Sequence, residues 1–274
     1  MRRPLTIAAA LLALPAAAPA TARAQDWDGD ARVERNAFTW AGAVPAGRWI
    51  YVRNLNGPVR VERGGDRVEV TADRRARGGA DPNRVRFVVQ KAGDGQSAIV
   101  CALWDDRGSC DERGSHYDDR GDDRRRGSVS VDFTVRVPAG VRVDVNTVNG
   151  GLEVRGVLGE VVARTVNGSV HAETGGGPVS AQTVNGSVDA RMASTGDARD
   201  LDFGTINGSV NVELPPSVGA EVELSTVNGR VNTEFPVTIQ GRIDPRRLRA
   251  TVGDGSRRVR LHTVNGSVTL RRGG

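Results

Sequence analysis

The sequence predicts an all-β chain: a single-stranded β-solenoid of short strands, with an antiparallel β meander or sandwich as the alternative. Three observations predict it. The block Thr-Val-Asn-Gly-Ser-Val occurs at 165–170, 183–188 and 263–268, with near copies elsewhere. Apolar residues alternate with polar ones on both sides of each block, the pattern of half-buried strands. Glycine is abundant and aromatics are scarce, 35 against 11 in 274 residues, which suits tight turns around a thin core.

In chain order, Arg2 and Arg3 precede an Ala/Leu-rich stretch, and Ala22-Arg23-Ala24 fits a small-x-small cleavage site. Residues 1–24 therefore read as a secretory signal peptide. Its removal takes away three arginines and no acid, so the net charge falls from +5 to +2. The basic balance thus belongs largely to the leader, and nucleic-acid binding is not expected. No apolar run of membrane-spanning length follows, so no transmembrane segment is expected. Residues 25–43 form an N-terminal segment suited to capping an open sheet, and 44–272 form the repeat domain.

The Asn-Gly pairs define the repeat: Asn56-Gly57, Asn149-Gly150, Asn167-Gly168, Asn185-Gly186, Asn207-Gly208, Asn228-Gly229 and Asn265-Gly266. From Asn149 onward their spacing is 18 twice, then 22 and 21, then 37, while Asn56 stands 93 residues before Asn149. Val161-x-Ala163-x-Thr165 leads into one turn and Val170-x-Ala172-x-Thr174 leaves it, and the other units repeat this entry. A second corner, Val-Pro-Ala-Gly, recurs at 44–47 and 137–140. Asn-Gly between alternating strands is a strong hairpin signal, which would give a meander. A hairpin, however, gives no reason for a common period with the same flanking Thr and Val. Stacked coils do, because each residue then sits about 4.8 Å from its own copy, and amide side chains form ladders. Gly168, Gly186 and Gly208 are expected to supply positive φ at these corners.

Residues 62–135 depart from the repeat. Cys101 and Cys110, nine residues apart, fit a local disulfide in an oxidising compartment. From 105 to 127 the chain holds eight acids and six arginines and almost nothing apolar, so it reads as a charged disordered loop.

The signal peptide, the Val-Pro-Ala-Gly corner, the cysteine pair before a hydrophilic loop and the repeated blocks together resemble a bacterial β-strand-repeat family labelled "putative adhesin" (domain of unknown function 4097). The resemblance covers about residues 35–272. It implies an exported solenoid-like β protein and carries over no catalytic residues.

Catalytic and cofactor signals are weak. His116, His171 and His262 are scattered, the latter two at outward positions, and no nucleophile–base–acid spacing is present. The acids of the charged loop (Asp105, Asp106, Asp111, Glu112, Asp118, Asp119, Asp122 and Asp123) lack the Asp-x-Asp-x-Asp-Gly order of a calcium loop, and arginines compete for them. No cofactor or metal is expected. Nine of the eleven aromatics precede residue 135. Trp49 and Tyr51 share an outward face, which makes them a candidate ligand contact. The competing account has the N-terminal segment fold over that face and cap the solenoid. The expectation is a non-enzymatic envelope or secreted scaffold, periplasmic, cell-surface or secreted, whose partner is an envelope protein or a surface polysaccharide. The alternative is a lyase or hydrolase on a β-helix, which requires clustered acids or cations in a groove.

Overall fold

The computed structural model describes residues 30–34, 36–104, 107–117, 129–198, 200–237 and 244–274. The leader lies outside them. The strands run in chain order as β1 (Asp30–Glu34), β2 (Ala37–Gly42), β3 (Trp49–Arg53), β4 (Val59–Arg63), β5 (Val68–Ala76), β6 (Arg86–Lys91), β7 (Ala98–Leu103), β8 (Ser109–Cys110), β9 (Ser115–His116), β10 (Val129–Val137), β11 (Arg142–Asn146) and β12 (Leu152–Val157). They continue as β13 (Val161–Arg164), β14 (Val170–Thr174), β15 (Val179–Gln182), β16 (Val188–Met192), β17 (Asp200–Gly204), β18 (Val210–Leu214), β19 (Ala220–Asn228), β20 (Val231–Thr233), β21 (Arg247–Val252), β22 (Arg258–Asn265) and β23 (Val268–Arg272).

They form two sheets. One has 11 strands in the order β1-β2-β5-β10-β4-β12-β14-β16-β18-β23-β20, and the other has 10 in the order β21-β19-β22-β17-β15-β13-β11-β3-β7-β6. Each coil contributes one strand to each sheet, and neighbouring coils pair in parallel. This is the solenoid. A meander would pair successive strands antiparallel, and that pairing is confined to the two ends and to a small hairpin.

The stack is not built in chain order at either end. Coil β22–β23, last in sequence, lies between coil β17–β18 and coil β19–β20. At the other end, β10 lies between β4 and β5, and β7 between β3 and β6. Strand β10 and coil β22–β23 each keep like charges apart. Glu62 and Glu69 would face each other if β4 and β5 were neighbours. Arg136 stands between them, 3.9 Å from Glu62 and 3.8 Å from Glu69. Sequential stacking would likewise oppose Asp200 to Glu221 and Asp202 to Glu223, and Arg258 and Arg260 separate these pairs.

The core is thin because the inward positions are small. Pairs such as Val161/Ala163, Val170/Ala172 and Val179/Ala181 are fully or almost fully buried. The N-terminal end is broader and is filled by aromatics, which accounts for their skewed placement. Phe38 of β2 stacks on Phe87 of β6 at 4.6 Å, and Phe87 meets Phe133 edge-on at 6.1 Å. Trp40 and Trp104 are buried there too.

Part of the segment read as a disordered loop is packed structure. Residues 107–117 fold as the β8–β9 hairpin, tied down by the Cys101–Cys110 disulfide. The remainder, 105–106 and 118–127, lies outside the described residues. The hairpin covers Ile99, Cys101 and Leu103 on the outer face of β7, so that strand is buried on both sides. Tyr51, Val88 and Tyr117 pack against the same small cluster. The cover over Tyr51 is therefore this hairpin and not the N-terminal segment, which instead extends one sheet edge.

Candidate functional site

The repeated turn residues form one straight edge of the solenoid, and each has a separable task. Thr is buried and its hydroxyl reaches the neighbouring coil: Thr165 donates to the Gly150 carbonyl at 2.9 Å, and Thr183, Thr205 and Thr263 donate to Gly168, Gly186 and Gly208 at 2.8 Å. Valine would fill the same space and leave each carbonyl one donor short. Asn forms the amide ladder. Asn167 Nδ2 donates to Asn149 Oδ1 at 2.9 Å; Asn185 to Asn167, Asn207 to Asn185, Asn265 to Asn207 and Asn228 to Asn265 follow at 2.8 Å. Asn56 joins through a backbone bridge to Asn149, and its amide donates to the Val129 carbonyl at 2.9 Å.

The glycines are required by close approach more than by φ. Gly186 and Gly208 have φ of 152° and 156°, but Gly168 lies outside the left-handed range, contrary to the expectation for all three. What they share is a neighbouring glycine carbonyl in the space a Cβ would occupy: that of Gly150 for Gly168, Gly168 for Gly186 and Gly186 for Gly208.

The residue between Thr and Asn was missed as a functional candidate by sequence reasoning. It is always aliphatic, and it points outward at every position but Leu55, which packs against the core. In stack order the positions are Leu55, Val148, Val166, Val184, Ile206, Val264 and Val227. Val166, Ile206, Val264 and Val227 are 37%, 45%, 38% and 55% exposed, and the other three are half-buried. They make an apolar ridge one side chain wide, running beside the Asn ladder. The signal was present: an apolar residue repeated between an inward Thr and an outward Asn has no inward position to occupy. Among the turn residues from Asn54 to Gly208 none is ionisable, and Arg230 appears only at the outermost coil.

The two outer faces are the opposite in character. One row of the first sheet reads Glu69, Arg136, Glu62, Arg155, Glu173, Arg191, Glu213, Arg271 across eight successive strands, with strict alternation of sign. Arg191 and Glu213 are 2.7 Å apart. On the second sheet Glu223 sits among Arg247, Arg249 and Arg260; hydrogen bonds from Arg247 and Arg249 lower its pKa to about 2. The troughs on these faces are open and lined by mixed charges. Among the described residues no group of three or more His, Cys, Asp or Glu is placed to hold a metal ion. His171 and His262 sit on different sheets, and His116 pairs with Asp111 at 3.1 Å in the hairpin.

Trp49 and Tyr51 do come together, with ring centroids 5.9 Å apart, and both are half-buried. Arg142 lies over Trp49 at 5.5 Å and Arg53 over Tyr51 at 5.1 Å. Arg53 is 2% exposed although it belongs to an outward position. Its guanidinium donates to Asp144 Oδ1 at 2.6 Å, to the Asp111 carbonyl at 3.3 Å and to the Glu112 carbonyl, so it pins the hairpin to the sheet. Burial, then Glu112, Asp144 and Asp94, push the Tyr51 phenol above its usual value. Tyr51 is thus committed to the hairpin cluster, of which Trp49 is not a member.

A parallel β-solenoid with an amide ladder on one edge defines the structural class. The chain belongs to the Toastrack DUF4097 family, whose model matches residues 121–271, more than half of its length. Solved structures similar to it include a "putative cell adhesion protein" from Clostridium sporogenes ATCC 15579, with 9% identity and a TM-score of 0.49, covering 86% of this chain and 99% of that one. Another is a "putative adhesin" from Bacteroides fragilis NCTC 9343, with 10% identity and a TM-score of 0.37, covering 87% and 98%. No curated protein matches the chain. Among the described residues no helix is long and apolar enough to cross a membrane.

Proposed function

We propose that the protein is an exported, non-enzymatic binding or scaffolding protein of the cell envelope, of adhesin type, and that the Val–Asn edge is its binding surface. The observation that carries this reading is the ridge itself: six outward aliphatic side chains in one line, with no ionisable turn residue before the outermost coil, on a molecule whose broad faces carry paired charges. An exposed apolar strip rimmed by polar groups is the usual mark of an interaction site. Export is supported by the leader-like residues 1–24 and by the disulfide, which favours an oxidising compartment. Residues 25–43 then serve as the end cap and 44–272 as the repeat domain. The partner is an envelope protein or a surface polysaccharide, and Trp49 is a secondary contact beside Arg142.

Sedimentation of the purified protein with isolated envelopes tests this. Ile206→Lys should weaken binding at least about tenfold, and Glu173→Gln should leave it unchanged; equal binding by all three proteins would remove the edge from the function. Export is checked separately. Protein recovered outside the cytoplasm should begin at Gln25 and titrate no free thiol, and an intact leader would contradict it.

A further inference from the structure

Resting on the reading of the Val–Asn edge as a binding surface, we infer that one occupant of this edge is the same edge of a second copy of the chain, paired antiparallel about a two-fold axis at Val184. The first reason is period. The ridge offers one aliphatic side chain per coil, at intervals of about 4.8 Å over roughly 29 Å. Only a surface with the same rise can meet it group for group, and a second copy supplies one.

The second reason is self-complementarity. Val184 is the middle of the seven ridge positions. A two-fold axis there sets Val184 on Val184, Val166 on Ile206 and Val148 on Val264, with the core-packed Leu55 opposite Val227 at the ends. Every pair is aliphatic. The turns on either side carry serine or glycine (Gly151, Ser169, Ser187, Ser209 and Ser267), so no like charges are forced together along the central five coils.

The third reason selects the direction. Every hydrogen bond in the Asn ladder points the same way, from Asn228 through Asn265, Asn207, Asn185 and Asn167 to Asn149. The amide dipoles are therefore aligned along the edge and reinforce one another. Two such rows attract side by side only when they run in opposite directions. The amides of Asn167, Asn185, Asn207, Asn265 and Asn228 each spend one N–H on their own ladder, leaving a second to meet the partner's row.

The contact is small. A strip of that length and roughly 15–20 Å wide buries about 500 Å² per copy, below the roughly 800 Å² of a stable interface, so the pairing is reversible, with a dissociation constant in the range of about 10–100 μM.

The test uses the full chain with its native disulfide intact. Sedimentation equilibrium should show a monomer–dimer equilibrium in that range. Ile206→Lys should weaken it at least about tenfold, whereas Glu173→Gln, on the charged face, should not change it. Circular dichroism of each variant confirms the fold; Ile206 is exposed, so its replacement leaves the core untouched. Oxidative cross-linking fixes the direction. Val184→Cys should cross-link to itself, and Val166→Cys should cross-link to Ile206→Cys in a mixture and far less to itself. Self-cross-linking of Val166→Cys would overturn the antiparallel arrangement. A monomer at millimolar concentration would overturn the second-copy occupant while leaving the edge reading in place, provided Ile206→Lys still loses envelope binding. Loss of neither activity in Ile206→Lys would remove both.

Discussion

The two edges of this solenoid do the same job, turning the chain from one sheet to the other, and they do it in different ways. At the Asn edge the connections 147–151, 165–169, 183–187 and 205–209 are all five residues long and nearly identical. At the opposite edge the connections 158–160, 175–178, 193–199 and 215–219 run from three to seven residues and share no motif. The difference lies in what each residue touches. At the Asn edge the amide, the hydroxyl and the glycine each contact the same group in the next coil, so a change in one turn is felt by its neighbours. At the opposite edge the contacts change from turn to turn: Thr174 donates within its own turn to the Gly177 carbonyl, while Gly177 and Gly159 each press on the backbone of the neighbouring coil. Repetition in sequence marks where the structure bonds to its own copies.

Glycine substitution should separate a repeated turn from an unrepeated one most strongly at the pair Gly168 and Gly176. Gly168→Ala places a methyl group on the Gly150 carbonyl, backbone that has no room to move, and should destabilise by about 3 kcal/mol. Gly176→Ala on the other edge meets the end of Leu158 at 3.5 Å, an ordinary contact, and should be close to neutral. Denaturant melts compare them; equal costs would mean that Gly168 is no more tightly packed than Gly176.

Thr183→Val should cost about 1 kcal/mol in the same assay, since it keeps the volume and removes the hydroxyl from the Gly168 carbonyl. Ser180→Ala, at an outward, half-buried position, should cost less than half as much. A neutral Thr183→Val would leave the recurring Thr without an energetic role.

Acid should act most strongly at the end of the stack, on Glu223. The folded pKa of Glu223 is near 2, below its ordinary 4.5, because Arg247 and Arg249 hydrogen-bond to it. Its contribution is therefore present above pH 4.5 and is lost as pH falls from there toward 2. Its partners are largely solvent-exposed, which limits the loss to about 1 kcal/mol. Stability measured against pH should show this slope in the wild type and a shallower one in Glu223→Gln; identical slopes would assign the acid sensitivity elsewhere.

Much of this was legible in the sequence. Thr-Val-Asn-Gly-Ser-Val with Val-x-Ala alternation prescribed parallel coils, and the nine-residue cysteine spacing prescribed a local bridge. The hairpin was obscured because its own residues are charged. Its partner strand Ala98-Ile-Val-Cys-Ala-Leu103 is an unbroken apolar run, which is the pattern of a strand buried on both faces. The coil order was obscured because the Asn228 unit precedes the Asn265 unit yet lies outside it. Charge held the clue. The residue six after each Asn reads Glu62, Arg155, Glu173, Arg191, Glu213, Glu234, Arg271, and the alternation fails only between Glu213 and Glu234. Placing Arg271 between them restores it, and that is the order in the stack: Arg271 pairs with Glu213, and Glu234 N–H donates to the Leu270 carbonyl at 3.0 Å. The ridge was hidden by its company, since each Val sits in a turn whose other residues are structural.

The most direct test of a single continuous ladder in this rethreaded order is a double-mutant cycle on its asparagines. Asn207 and Asn265 are hydrogen-bonded at 2.8 Å, although the Asn228 unit lies between them in sequence. Two aspartates one step apart, about 4.8 Å, repel by roughly 1 kcal/mol in water, and by about half that at two steps. Asn207→Asp with Asn265→Asp should therefore destabilise beyond the sum of the singles by about 1 kcal/mol at low salt, with the excess shrinking as salt rises. Asn207→Asp with Asn228→Asp should show no more than half that excess. The reverse ranking, with the 207/228 pair more strongly coupled, would contradict the coil order, and additivity in both pairs would contradict the ladder.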